Sequence, residues 1–258
     1  MASGFNRQEK RNTLDRISNL PLEVTAEILK HLPIKEAVGT SRLSRHWRYQ
    51  WTAIQELKFN DYTAIGQGQT ITNTNLTNLV NSVLLLHHHP VTRFEVYTIK
   101  APSSDVDRCL SIFAPDLEHC HIEGPYQNIK FVHTPKLKKA CLSFNSEDMN
   151  NILADLWQFR NSPFLKEINV HAWQCPPRLV PPEHFWKKTD AVFQHLQKVN
   201  FVQFREGQNE LQLIEFFLHK ATILQTINIT RMQPAHFNEW KKLLQFPRTS
   251  PEARINII

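Results

Sequence analysis

The stretch Leu165-Lys166-Glu167-Ile168-Asn169-Val170 puts apolar residues at its first, fourth and sixth positions, and the same spacing recurs along the chain. It returns as Ile54-x-x-Leu57-x-Phe59, Val91-x-x-Phe94-x-Val96, Leu117-x-x-Cys120-x-Ile122 and Leu137-x-x-Ala140-x-Leu142. Two later copies are Leu196-x-x-Val199-x-Phe201 and Leu224-x-x-Ile227-x-Ile229. One match means little in a chain so rich in Leu, Ile, Val and Phe. Seven in order, most of them separated by a segment of helical period, carry an argument. Those segments are Leu76 to Leu86, Glu147 to Phe159, Glu183 to Phe193 and Glu210 to Leu218.

The repeat starts are 20 to 37 residues apart, mostly near the ~20–29 of a leucine-rich repeat. The expected fold is therefore α/β, a short leucine-rich-repeat-like solenoid with parallel strands on its concave face. An ordinary α/β sheet with crossover helices is the alternative. The last helical stretch, Ala235 to Phe246, is expected to close the array. Side chains alternate along a strand, so residues between the apolar positions face the opposite way. These are Arg93 and Glu95, His119 and His121, Lys139 and Cys141, Glu167 and Asn169, Lys198 and Asn200, and Thr226 and Asn228. Each alone is an ordinary solvent-facing strand residue; as a row they are a candidate protein-recognition surface.

The stretch before the repeats, about Asp15 to Leu57, follows a different pattern. Pro21 suits the first turn of a helix, and Val24, Ile28 and Leu32 then share one face. Pro33 ends that helix and opens a second, Ile34 to Ser41; a third is expected from Ser44 to Gln55. A module this small cannot bury all its apolar side chains by itself, so the rest of the chain or a partner must cover some.

The 258 residues are 41% apolar and 21% charged, ordinary for a globular chain. Only six glycines occur, and Gly66-Gln67-Gly68 is not followed by Gly-Lys-Ser/Thr, which argues against a phosphate-cradling loop. The net charge of +6 comes with scattered basic pairs, Lys138-Lys139, Lys187-Lys188 and Lys241-Lys242, rather than a basic block. A nucleic-acid partner is not expected from that pattern. Cys109, Cys120, Cys141 and Cys175 form no CxxC pair and are expected to be reduced thiols. The polar N-terminus is no signal peptide, and the apolar run Val83 to Leu86 is too short to span a bilayer. The expected location is the nucleus, the cytoplasm or both, away from any membrane.

Histidines invite a metal or catalytic reading. His87-His88-His89 are consecutive and point in different directions; His119 and His121 face away from Cys120. No HExxH, Gly-x-Ser-x-Gly or recognisable Cys/His nucleophile context occurs. No metal, cofactor or catalytic residue is expected.

The run Leu20-Pro21-Leu22-Glu23-Val24, Ile28-Leu29, Leu32-Pro33-Ile34-Lys35-Glu36-Ala37-Val38 and Ser41-Arg42-Leu43-Ser44-Arg45-His46-Trp47-Arg48 resembles a plant-type F-box. Glu210 to Leu218, Ala221-Thr222-Ile223-Leu224 and Phe246-Pro247-Arg248-Thr249-Ser250-Pro251 resemble the FBD region of the same plant proteins. Ala114-Pro115-Asp116-Leu117 through Thr134-Pro135-Lys136-Leu137 is similar to the middle repeats of F-box/FBD/LRR-repeat proteins, although this chain is shorter than usual for them. The resemblance implies four parts. They are a flexible segment 1–11, a three-helix F-box over 12–58, LRR-like repeats over 59–191 and an FBD-like region over 192–258.

It further implies a non-catalytic substrate receptor of an SCF-type ubiquitin ligase. Such a receptor docks a Skp-type adaptor through Leu20, Pro21, Ile28, Leu32, Val38 and Leu43, and through the adaptor joins cullin and RING protein. The target would lie on the concave face. A second reading is a decoy that occupies the adaptor without delivering a substrate.

Overall fold

The computed structural model describes residues 17–60, 73–97, 109–123, 128–145, 156, 159, 162–173, 192–204, 208–231 and 240–258. Two short helices open it, α1 (Leu22–Leu29) and α2 (Ile34–Gly39). Pro21 and Pro33 each stand one residue ahead of them, at the N-cap with extended ψ, rather than inside the first turn. Both prolines sit where a missing N–H breaks no helical bond. A 3-10 turn (Thr40–Arg42) and a longer 3-10 stretch (His46–Ala53) follow, where the sequence reads as a continuation of α2 and a third α-helix. The sequence His46-Trp-Arg-Tyr-Gln-Trp-Thr-Ala53 is dense in aromatic residues of modest helix propensity, so packing rather than propensity shapes it. Trp47 and Trp51 are buried there, and the Trp47 indole Nε1 donates to Ser18 Oγ at 2.9 Å.

The rest is built on parallel strands. They are β1 (Glu56–Asn60), β2 (Arg93–Tyr97), β3 (Cys109–Phe113), β4 (His119–Glu123), β5 (Asn128–His133), β6 (Lys139–Asn145), β7 (Glu167–Trp173), β8 (Lys198–Phe204), β9 (Thr226–Arg231) and β10 (Arg254–Ile257). Among the described residues, α3 (Asn73–Leu86), α4 (Gln208–Lys220) and α5 (Trp240–Gln245) lie between them. Eight strands form one sheet in the order β1-β2-β4-β6-β7-β8-β9-β10, every pair parallel; β3 and β5 pair in a second, two-stranded sheet.

Every copy of the sequence template lands in the same place. Leu57, Phe94, Cys120, Ala140, Ile168, Val199 and Ile227 are register partners strand by strand, and so are Phe59, Val96, Ile122, Leu142, Val170, Phe201 and Ile229. All of them are buried, as are the leading residues Ile54, Val91, Leu117, Leu137, Leu165, Leu196 and Leu224. One turn recurs before the strands. In Ala114-Pro-Asp-Leu117, Thr134-Pro-Lys-Leu137, Ser162-Pro-Phe-Leu165 and Ser250-Pro-Glu-Ala253, the last N–H donates to the first carbonyl at 3.1 to 3.3 Å. Proline holds the second position, where its fixed φ suits a β-turn. The carbonyl just before a strand then accepts two N–H bonds from the next unit, as Gln55 does from Thr92 and Arg93. Successive units are thereby locked in register.

The stretches Glu147 to Phe159 and Glu183 to Phe193, expected to be helical, lie mostly outside the described residues; Leu156 is helical and Phe159 is in a 3-10 turn. The closing helix is described from Trp240, and it does not end the sheet, because β10 follows it and pairs with β9.

Candidate functional site

The sheet has one apolar face and one polar face, and the polar face gathers the row of residues marked by the sequence. Arg93, His119, Lys139, Glu167, Lys198 and Thr226 are consecutive register partners, and Arg254 extends them. A second row runs Glu95, His121, Cys141, Asn169, Asn200, Asn228 and Asn256. The two rows divide along their length.

On β7 to β10 the second row is closed on itself. Asn200 Nδ2 donates to Asn169 Oδ1 at 2.6 Å and to Glu167 Oε1 at 2.8 Å. Asn228 Nδ2 donates to Asn200 Oδ1 at 2.8 Å, and Asn256 Nδ2 to Asn228 Oδ1 at 2.9 Å. In a parallel, in-register sheet identical amides come to the same height on neighbouring strands. Each can donate to one neighbour and accept from the other. This ladder ties strands together.

On β2 to β7 the face opens into a pocket of about 350 Å³ lined by Arg93, Glu95, His119, Cys120, His121, Lys139, Cys141, Asn169 and His171. Glu95 and His121, which line it, continue into a polar network. The Tyr97 hydroxyl donates to Glu95 Oε2 at 3.3 Å and lies 3.2 Å from His121 Nδ1. Burial, then the Glu95 charge, pushes the Tyr97 phenol up, so it stays protonated. His121 Nε2 is buried 3.6 Å from Glu123 Oε2, beyond hydrogen-bond reach, and Ser143 Oγ is buried with no hydrogen-bond partner among the described residues. Burial lowers the His121 and His171 imidazoles, the second also through the neighbouring His121 ring 5.9 Å away. At the rim, Arg93 faces Glu56 at 3.5 Å and Glu95 at 3.6 Å, while Lys139 Nζ lies 2.9 Å from Glu167 Oε1.

Cys141 is buried, and its thiol is pushed up to about 12, chiefly by desolvation, which removes the thiolate a nucleophile needs. Among the described residues no group of three or more His, Cys, Asp or Glu is placed to hold a metal ion. What the arrangement offers is hydrogen bonding and charge on an open surface.

The second candidate surface is on the helical module. Ile28 is 48% exposed, Leu32 39% and Leu43 69%, while Pro21 is exposed and Leu20 and Val38 are half-buried. Ile17 and Val24, absent from the expected set, are also exposed. Opposite them Leu29, Ile34, Ala37 and Trp51 close a core that continues into β1 through Ile54. His87, at the end of α3, clamps the junction with Nε2 2.8 Å from the Ile54 carbonyl and its ring edge-on to Trp51.

The sequence template marks the first two rows and ends before a third. Tyr97, Glu123, Ser143 and His171 continue the same alternation beyond the last apolar position of each template.

A family model described as the F-box domain matches residues 17–58, and one described as FBD matches residues 192–229. An F-box/LRR-repeat protein of Arabidopsis thaliana is 34% identical over an alignment of 265 residues, which covers 78% of this chain and 68% of the relative. An F-box/FBD/LRR-repeat protein of the same plant is 28% identical over 173 residues, 64% of this chain and 40% of that protein. A putative FBD-associated F-box protein is 33% identical over 101 residues, 38% of this chain and 23% of its own length. The chain thus spans less than half the length of the last two relatives. No solved structure matches it.

Proposed function

Because the chain belongs to the F-box/FBD/LRR-repeat proteins of plants, we propose that it is the substrate-recognition subunit of an SCF-type ubiquitin ligase. The helical module docks a Skp-type adaptor, which brings cullin and RING protein. The parallel sheet is read as the inner face of a short leucine-rich-repeat solenoid, on which a target protein is held. The chain itself is non-catalytic in this reading and works in the nucleus, the cytoplasm or both.

One observation carries the docking half. Ile28, Leu32 and Leu43 stay exposed, together with Ile17 and Val24, on a module whose Leu29, Ile34, Ala37, Trp47 and Trp51 are enclosed. Taking a fully exposed side chain of this size out of water is worth roughly 1.5–3 kcal/mol, so covering the open part of these three supplies about half of that each toward a partner with an apolar groove. Leu20 and Pro21 lead into α1 beside them, and Lys35, Arg42 and Arg45 are exposed on the same module to meet an acidic rim. The Arg93-to-Asn228 face supports the receptor half as the broad polar surface of a parallel sheet.

Co-expression of the chain with a Skp-type adaptor, followed by affinity capture, tests the assignment. The intact chain retains the adaptor, and the Leu20→Ala/Pro21→Ala variant loses at least ~10-fold in affinity, the effect of removing about 1.4 kcal/mol of contact. Equal capture by both would overturn the docking surface.

A further inference from the structure

We propose that the polar face of the sheet receives an acidic segment of the partner protein, with a side-chain carboxylate seated against Arg93, His119 and Lys139. This rests on the reading that a protein target occupies this face, and it names the chemistry of that target. The three residues are register partners on β2, β4 and β6 and all line the pocket. Neighbouring strands are ~4.8 Å apart, so the three donor groups fall within ~10 Å of one another.

The donors outnumber what the fold uses. Arg93 has five N–H groups, yet its carboxylate neighbours Glu56 and Glu95 stand 3.5 and 3.6 Å away, longer than the roughly 2.7–3.2 Å of a good N–H···O bond. Lys139 gives one of its three to Glu167. Glu95, the carboxylate inside the pocket, is only 13% exposed and already faces Lys58, Arg93 and the Tyr97 hydroxyl. Glu167 is held by Lys139 and Asn200.

The local field agrees: after burial, the charge of Arg93 does most to push the His119 imidazole below its ordinary value, with Lys138 and Lys139 adding to it and Glu118 opposing. Farther along the same row, Lys198 and Arg254 add exposed positive charge on either side of Thr226. An incoming carboxylate can take a bidentate grip on Arg93, the geometry a guanidinium is shaped for. A basic segment meets four cations on this row, Arg93, Lys139, Lys198 and Arg254, against two carboxylates, Glu56 and Glu167.

The test uses the full chain and three short fluorescent peptides, one rich in Asp and Glu, its Asn/Gln counterpart and its Lys counterpart, followed by anisotropy. The acidic peptide binds, the other two do not, and binding weakens steeply with salt. Arg93→Gln/Lys139→Gln loses ~10-fold or more, the scale of a charged hydrogen bond. Affinity also rises as pH falls from about 7.5 to about 5.5, because a bound carboxylate favours the imidazolium. His119 takes that proton among Arg93 and Glu95 on β2, Glu118 and His121 on its own repeat, and Lys138 and Lys139 on the next. In His119→Gln the rise is lost or reduced.

Equal binding of the Asn/Gln peptide, preference for the Lys peptide, no peptide binding, or unchanged affinity in a double variant with native circular dichroism would each overturn the proposal. If the double variant does not fold, the single variants and the salt dependence of the unaltered chain decide. Adaptor capture by the unaltered chain, measured in parallel, reports on the docking reading alone.

Discussion

Phe94 on β2 and Leu43 in the helical module are both large apolar side chains, yet one is fully enclosed and the other is 69% exposed. The difference runs through the two regions. Each strand of the eight-stranded sheet stacks its apolar residues on those of the next strand, so this sheet encloses its own core and keeps water for its polar face. The helical module is too small to do this on every side. It shares Ile54 and the His87 clamp with the sheet on one side and leaves Ile28, Leu32 and Leu43 open on the other. A region that satisfies itself stabilises the fold, while one that does not is available to a partner.

Truncation should expose that difference. Phe94→Ala, which empties a site packed against Phe59 at 5.6 Å between ring centroids, costs about 3–5 kcal/mol. Chemical denaturation reads it as a lower midpoint with an unchanged slope. Asn200→Ala removes two donors and one acceptor from the amide ladder and costs about 1–2 kcal/mol, measured in the same way.

Acidification comes next. His87, His119, His121 and His171 are all held below the ordinary 6.5, burial being the first cause for each. Each therefore binds its proton less readily folded than unfolded. The stability they confer is present above pH 6.5 and lost as pH falls through their lower folded values. Tm should drop by about 2–4 °C for each kcal/mol lost between neutral pH and pH 5, and His121→Gln should flatten the fall. Smallest of all, Ile28→Ala and Leu43→Ala should change stability by no more than about 0.5 kcal/mol, as exposed positions do. A large loss there would place those side chains in the core and erase the contrast between the regions.

Much of this was legible in the sequence, because the repeat template encodes both the strand and its register. What escaped it escaped for local reasons. β10 breaks the template since Ala253 precedes Ile255 by two residues where Leu224 precedes Ile227 by three. The turn Ser250-Pro-Glu-Ala253, made like the three Pro-turns before it, was the signal that another strand follows. β3 and β5 each offer only a short apolar alternation, with Leu110 and Ile112 facing Ile129 and Phe131 in register, and lie between units of the main sheet. The 3-10 geometry of His46–Ala53 is invisible to periodicity, which does not separate a three-residue turn from a slightly longer one. The amide ladder required register as well as residue type. In the sequence Asn169, Asn200 and Asn228 read as separate surface residues, and only their common height on neighbouring strands joins them.

Hydrogen–deuterium exchange of the chain alone and bound to a Skp-type adaptor tests most directly the claim that the open helical face is the docking surface. Slowed exchange confined to the amides of about residues 20–43, with the strand amides unchanged, is the result predicted. Protection on the polar face of the sheet, or none on α1 and α2, would contradict it.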